Sequence, residues 1–203
     1  TVNGNIVEAF LWLALALFVD GIDGTLARAV NVQKNTPEID GAILDNIIDY
    51  LNYVVIPVFI FYTLRMVPDQ YLILSSALIL LVSCFTFTNS NIKTDDYYFS
   101  GFPAIWNIVI LYFYLLGSSQ WNNLFFVILF CVLTFIPFKY VHPFRVVQFR
   151  KITLTIISIW MVTTTVLLFD VSFNNALFKT INYMLWLLTN IYFMALVIYR
   201  SVK

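Results

Sequence analysis

Residues 6–28 read IVEAFLWLALALFVDGIDGTLAR and residues 41–64 read GAILDNIIDYLNYVVIPVFIFYTL. In the first stretch the apolar run stops at Val19, and Asp20 and Asp23 follow before Arg28 closes the segment. In the second, Gly41, Asp45 and Asp49 stand four residues apart ahead of another apolar run. A helix needs about 20 predominantly apolar residues to cross the hydrocarbon core of a bilayer. Both stretches therefore predict membrane helices, each with carboxylates near one end.

The rest of the chain has the same character. Of its 203 residues 61% are hydrophobic and 11% charged, too few polar groups to clothe a water-soluble globule. Aromatic residues make up 18%, and the Trp and Tyr among them favour bilayer interfaces. Five further runs complete seven predicted spans: Pro68 to Asn89, Phe102 to Leu116, Leu124 to Phe138, Ile152 to Phe169 and Ile181 to Tyr199. The expected fold is all-α, a polytopic transmembrane helix bundle forming a single domain over residues 1–203.

If successive connections alternate sides, one side collects Arg28, Lys34, Lys93, Lys139, Arg145, Arg150, Lys151, Arg200 and Lys203, leaving Arg65 and Lys179 opposite. The positive-inside rule puts the richer side in the cytoplasm, and with it the carboxylates of the first two spans. The C-terminus is then cytoplasmic. A natural N-terminus on the same side requires one more helix before Thr1, which we expect.

A formal net charge of zero argues against a nucleic-acid partner. His142 is the single histidine, and Cys84 and Cys131 lie inside apolar runs, so neither a thiolate or imidazole metal cluster nor a disulfide framework is expected. Any metal site must be built from carboxylates.

Asp20 and Asp23 are three residues apart, and Asp45 and Asp49 four, spacings that put each pair on one helix face. Four carboxylates on adjacent helices repel strongly at low dielectric, so either cations lie between them or their proton affinities rise. Oxygen-only ligands suit hard ions, Mg²⁺ or Mn²⁺, and four carboxylates suffice for two ions about 3.5–4 Å apart, the arrangement of phosphoryl-type transfer. Gly24 and Gly41 leave bare backbone on the acidic faces for a base or phosphate to approach, and Arg28 can pair with a phosphate. Taken one at a time, such residues also serve in ion pathways, as solvated helix ends, or as helix-packing contacts. Their occurrence together in this order is what favours a catalytic reading.

Asp20, Asp23, Gly24, Ala27, Arg28, Gly41, Asp45 and Asp49 match every position of the signature of the CDP-alcohol phosphotransferase superfamily, which the chain resembles. Twelve residues, 29 to 40, separate Arg28 from Gly41, a longer spacer than in most of the superfamily. The spacer is similar to that of the bacterial phosphatidylcholine synthase branch. So are Asp45-Asn46-Ile47-Ile48-Asp49, Phe99-Ser100-Gly101-Phe102-Pro103 leading to Trp106-Asn107, and Val141-His142-Pro143-Phe144-Arg145. The likeness thus covers most of the chain, and the family's further helix ahead of the motif helix matches the one expected before Thr1.

The resemblance implies an enzyme of a bacterial inner membrane that joins choline to CDP-diacylglycerol, releasing phosphatidylcholine and CMP, with its site facing the cytoplasm. It implies two divalent ions on Asp20, Asp23, Asp45 and Asp49. It also implies a CDP site framed by Asp20, Gly24, Ala27, Arg28 and Gly41, and activation of the acceptor hydroxyl by Asp49. Asp49 is also the acid deepest along its helix. Choline is a quaternary ammonium recognised by aromatic faces and nearby negative charge. Tyr53, one turn beyond Asp49, together with Trp106 and Tyr98, are the aromatic candidates, each with interfacial anchoring or packing as the alternative. Arg145 and Arg150 are candidates for lipid phosphate or head groups, although topology alone also accounts for them. His142 is left out of the catalytic set, and Asp95-Asp96 reads as a solvated loop.

Other acceptors, namely serine, glycerol phosphate or inositol phosphate, remain open within the class, since the motif handles only the shared CDP half. A phosphorylated acceptor would call for an Arg or Lys cluster near the acids, and inside the helices there is little besides Arg28. An ion transporter would need acids near the bilayer midplane rather than toward helix ends. A homodimer is the oligomer left in view.

Overall fold

The computed structural model describes residues 4–89, 98–141, 149–169 and 176–201, without the side chains of Gln33, Tyr98, Phe99 and Val141. His142, Pro143, Arg145 and the Asp95-Asp96 pair lie outside the described residues. The chain divides into two compact units, one comprising Thr1–Asn89 and Ala104–Val132 and the other Ser90–Pro103 and Leu133–Lys203.

The first unit begins with α1 (Ile6–Ala29), started by Asn5, whose side chain accepts from the backbone N–H of Glu8. A short α2 (Val32–Asn35) occupies the spacer between the two acidic segments. Then α3 (Gly41–Tyr50) continues through a π-helical turn (Leu51–Val55) into α4 (Ile56–Thr63). The π turn has a local cause. Pro57 has no backbone N–H to give to the carbonyl four residues back, and its ring crowds that carbonyl, so the preceding turn widens. The backbone N–H of Ile56 accordingly bonds to Leu51 O, five residues back. A tight turn at Arg65, where φ is +47°, leads to α5 (Asp69–Thr88).

The core of this unit gathers where these helices meet α6 (Trp106–Leu116) and α7 (Gln120–Leu133). Val54, Ile60 and Phe61 of the α3–α4 rod, Ile79 of α5, Trp106 and Ile110 of α6 and Val127 of α7 are all essentially inaccessible. Tyr50 fastens the rod to α5, donating to Leu80 O at 2.9 Å and meeting the Phe87 ring edge-on. At the far end of the rod, Asn123 donates to Met66 O and Gln120 to Arg65 O, each at 2.8 Å.

In the second unit, β1 (Tyr98–Ser100) pairs antiparallel with β2 (Lys139–Val141), with Phe99 opposite Tyr140. Helices α8 (Arg150–Leu168) and α9 (Ala176–Ser201) pack along each other. Polar side chains tie that pair. Asn182 donates to Thr163 O at 3.2 Å, Trp186 donates its indole N–H to Thr164 Oγ1 at 3.1 Å, and the Thr153 and Tyr192 hydroxyls lie 2.8 Å apart. In lipid, where apolar side chains gain nothing by leaving their surroundings, such bonds and close packing hold helices together.

The outward surface is apolar. Ile73 and Leu81 of α5, each 72% exposed, would be costly in water and are at home against acyl chains. Among the described residues, four helices are long and apolar enough to cross a membrane: the α3–α4 rod, α5, α8 and α9. The expected spans from Phe102 and from Leu124 are corrected. The first starts only at Trp106, because Pro103 and the positive φ of Ala104 (+55°) keep the preceding residues out of a helix. Gly117, with φ +53°, ends it. The next occupies Gln120–Leu133 and stops short of Phe138, since Pro137 biases the residue before it away from helix. At 11 and 14 residues these helices measure about 16 and 21 Å, short of a hydrocarbon core of about 30 Å. The all-α membrane bundle stands, with a two-stranded ribbon that hydrophobic periodicity does not announce.

Candidate active site

The two acidic segments come together within the first unit. Asp20 in α1 and Asp45 and Asp49 in α3 can each bring one carboxylate oxygen within 4.8 Å of the others, and all three are half-buried. Asp45 and Asp49 share a face because they are one turn apart in α3, as their spacing predicts. That helix starts cleanly at Gly41, because Asp40 accepts from the N–H groups of Ala42 (2.9 Å) and Ile43 (3.2 Å). Asp40 went unnoticed in the sequence, although an Asp immediately before a helical run is a familiar N-cap signal.

Three carboxylates converging so closely repel one another wherever water is partly excluded. An all-oxygen donor set of this kind suits a hard divalent cation, so the residues fit the metal that the motif implies. Asp23, one turn beyond Asp20 and also half-buried, is not part of the three-carboxylate group. A second contact supports Asp20: the Tyr53 hydroxyl donates to Asp20 Oδ2 at 2.5 Å, linking the π turn to α1.

Arg28 is exposed and donates from Nη2 to Thr25 Oγ1 at 3.1 Å. Its Nη1 lies where a methyl group on Gly24 would come within 3.3 Å, so the bare backbone at Gly24 lets the guanidinium fold back over the helix. Ala27 and Gly41 are exposed, and a methyl group added at Gly41 would meet nothing within 4 Å. The spacer is compact: Asn35 donates to Val30 O and Thr36 to Val32 O, both at 2.9 Å.

The remaining candidates are placed differently. Trp106 is 1% exposed, donates to Ser83 Oγ and meets the Phe130 ring edge-on, so in this conformation its faces are occupied by protein. Tyr98 contributes its backbone to β1, and its side chain lies outside the described residues. Arg150 is exposed at the first residue of α8. Arg145 falls outside the described residues.

Comparison with known proteins bears on the same residues. The family model for CDP-alcohol phosphatidyltransferases matches residues 1–138. A phosphatidylcholine synthase of Pseudomonas aeruginosa is 39% identical over 193 residues, covering 95% of this chain and 79% of that protein. One from Borreliella burgdorferi is 40% identical over 159 residues, 77% of this chain and 68% of its own length. One from Legionella pneumophila is 47% identical over 137 residues, where the match spans 66% of this chain and 54% of that protein. Other relatives from Rhizobium johnstonii and Mesorhizobium japonicum are matched over 64% and 56% of their lengths. With the family match extending across both acidic helices, the chain belongs to the CDP-alcohol phosphatidyltransferase family.

Proposed function

We propose that this chain is a phosphatidylcholine synthase, transferring the phosphatidyl group of CDP-diacylglycerol to choline with release of CMP. The observation that carries the reading is the convergence of Asp20, Asp45 and Asp49 from two helices, in a chain whose relatives are named phosphatidylcholine synthase. The family generally depends on divalent metal.

Asp20, Asp23, Asp45 and Asp49 would hold two divalent ions, Mg²⁺ or Mn²⁺. When bound, such ions neutralise charge on the pyrophosphate and on the transferring phosphoryl group. Arg28 pairs with a phosphate of the CDP half, and Gly24, Ala27 and Gly41 leave the backbone open for its approach. The choline hydroxyl oxygen attacks the phosphorus nearer diacylglycerol, in line with the bond to the CMP phosphate. That bond breaks as the new one forms, and its electrons leave with CMP. Asp49 takes the hydroxyl proton. The carboxylate-rich site supplies the negative charge a quaternary ammonium needs, and no bound phosphate on the acceptor requires a cationic cluster. The site opens to the cytoplasmic face of a bacterial inner membrane, in keeping with the Lys and Arg bias of the loops.

The test is product formation by purified, lipid-supplied protein from CDP-diacylglycerol and labelled choline, with Mn²⁺ present or chelated. Serine, glycerol 3-phosphate and inositol phosphate are offered in parallel. Metal-dependent phosphatidylcholine and CMP from choline alone is the expected result. Turnover of a different alcohol would keep the chemistry and overturn the acceptor.

A further inference from the structure

Tyr53 is a half-buried side chain outside the acidic motif that a hydrogen bond ties to the three-carboxylate group. Its position depends on an irregularity. Along a regular α-helix a residue four positions past Asp49 advances about 40° around the axis, whereas a wider turn brings it closer to directly above. The segment Leu51–Val55 is such a wider turn, and Tyr53 sits at its centre. From there the phenol reaches across to Asp20 of α1, a residue 33 positions away in sequence.

The consequence for Asp20 is geometric. A carboxylate at the end of a short side chain can rotate about its last bond, and one strong donor on Oδ2 fixes the plane of the group. Groups that donate to ligating side chains orient them and tune their hold on metal. We infer that Tyr53 is a positioning residue, acting through Asp20 to pre-set the carboxylate for divalent-metal binding, and that it does not serve as an aromatic platform for choline. The inference rests on the metal reading of the acidic group proposed above.

Two surroundings support it. Val54, next in sequence, is wholly buried, and Pro57, Val58, Ile60 and Phe61 farther along the rod are buried too, so the backbone carrying the phenol is anchored in the core. On the other side Asp20 lies on α1, whose own buried residues are Phe10 and Leu13, more than one turn earlier in the helix. Tyr53 therefore contributes orientation that the packing of α1 near Asp20 does not.

The experiment is a Mn²⁺ titration of purified protein in lipid-containing micelles, with free Mn²⁺ followed by electron paramagnetic resonance, on wild type, Tyr53→Phe, Asp20→Asn and the double variant. Phe keeps the ring and removes the donor. Tyr53→Phe is expected to weaken Mn²⁺ binding roughly tenfold. Its choline KM should stay at the wild-type value, with turnover recovering as Mn²⁺ is raised. The double variant should bind no more weakly than Asp20→Asn alone, since the two residues act as a unit. Unchanged Mn²⁺ affinity in Tyr53→Phe together with a raised choline KM overturns the inference and restores the platform role. Wild-type Mn²⁺ affinity in Asp20→Asn would instead defeat the metal reading itself. If Tyr53→Phe elutes partly aggregated, the double-variant comparison is made on the monodisperse fraction, where additive losses of affinity overturn the inference.

Discussion

The indole N–H of Trp106 is donated to Ser83 Oγ at 2.9 Å, joining α6 to α5 in an interior where each residue is 1% exposed. Ser83→Ala removes that acceptor from a buried donor and is expected to destabilise the protein by about 1 kcal/mol. Thermal unfolding in detergent should show a lower midpoint. Combining it with Trp106→Phe should cost less than the sum of the two, because both changes break the same bond.

Asp49→Asn should lower the turnover number by about 10²–10⁴-fold, the range expected when a general base is removed. Release of CMP from CDP-diacylglycerol and choline is the measurement. A loss confined to KM would take the proton-accepting role away from Asp49.

Asp23 stands outside the group formed by Asp20, Asp45 and Asp49. If two ions bind, Asp23→Asn should leave one site nearly intact and abolish the other. Equilibrium dialysis against Mn²⁺ should then show the stoichiometry halved, whereas Asp45→Asn should disturb the affinity of the retained site as well.

Gly101 has φ +88°, and a methyl group there would lie 2.3 Å from the Thr134 carbonyl oxygen. Its N–H bonds to Phe138 O at 2.9 Å, so the backbone has little freedom to move aside. Gly101→Ala combines a positive φ with a clash against main chain. It should destabilise the second unit by about 1–3 kcal/mol, read as a lower unfolding midpoint or faster limited proteolysis between residues 90 and 103.

Much of this was legible in the sequence, and the reasons are specific. Gly41, Asp45 and Asp49 share a face because a helix repeats near four residues, and the second and third spans were placed to within a residue or so because Pro68 and the apolar runs bound them sharply. What escaped was mostly set by single residues acting on backbone. Pro57 lies inside an apolar run that reads as uninterrupted helix, yet it widens the turn before it and carries Tyr53 toward Asp20. Pro103 and Ala104 delay α6, and the pairing of residues 98–100 with 139–141 depends on contacts about forty positions apart that periodicity cannot express. Trp106 illustrates the limit on roles. Its ring chemistry suits a quaternary ammonium, but only the fold reveals that its faces are taken.

Of the 24 residues in α1, only Phe10 and Leu13 are buried, and at its acidic end Asp20 faces the carboxylates of Asp45 and Asp49 and the Tyr53 phenol of the α3–α4 rod. Such a helix has little apolar packing to keep it docked at that end. A divalent cation shared across the two helices would convert the repulsion into a cross-link, and any ligand that favours the docked state stabilises it by mass action. Assembly of the site and retention of α1 thereby become one equilibrium. If a cation does bind there, its supply would set not only how fast the protein works but how much of it stays resistant to proteases that attack loosened membrane helices.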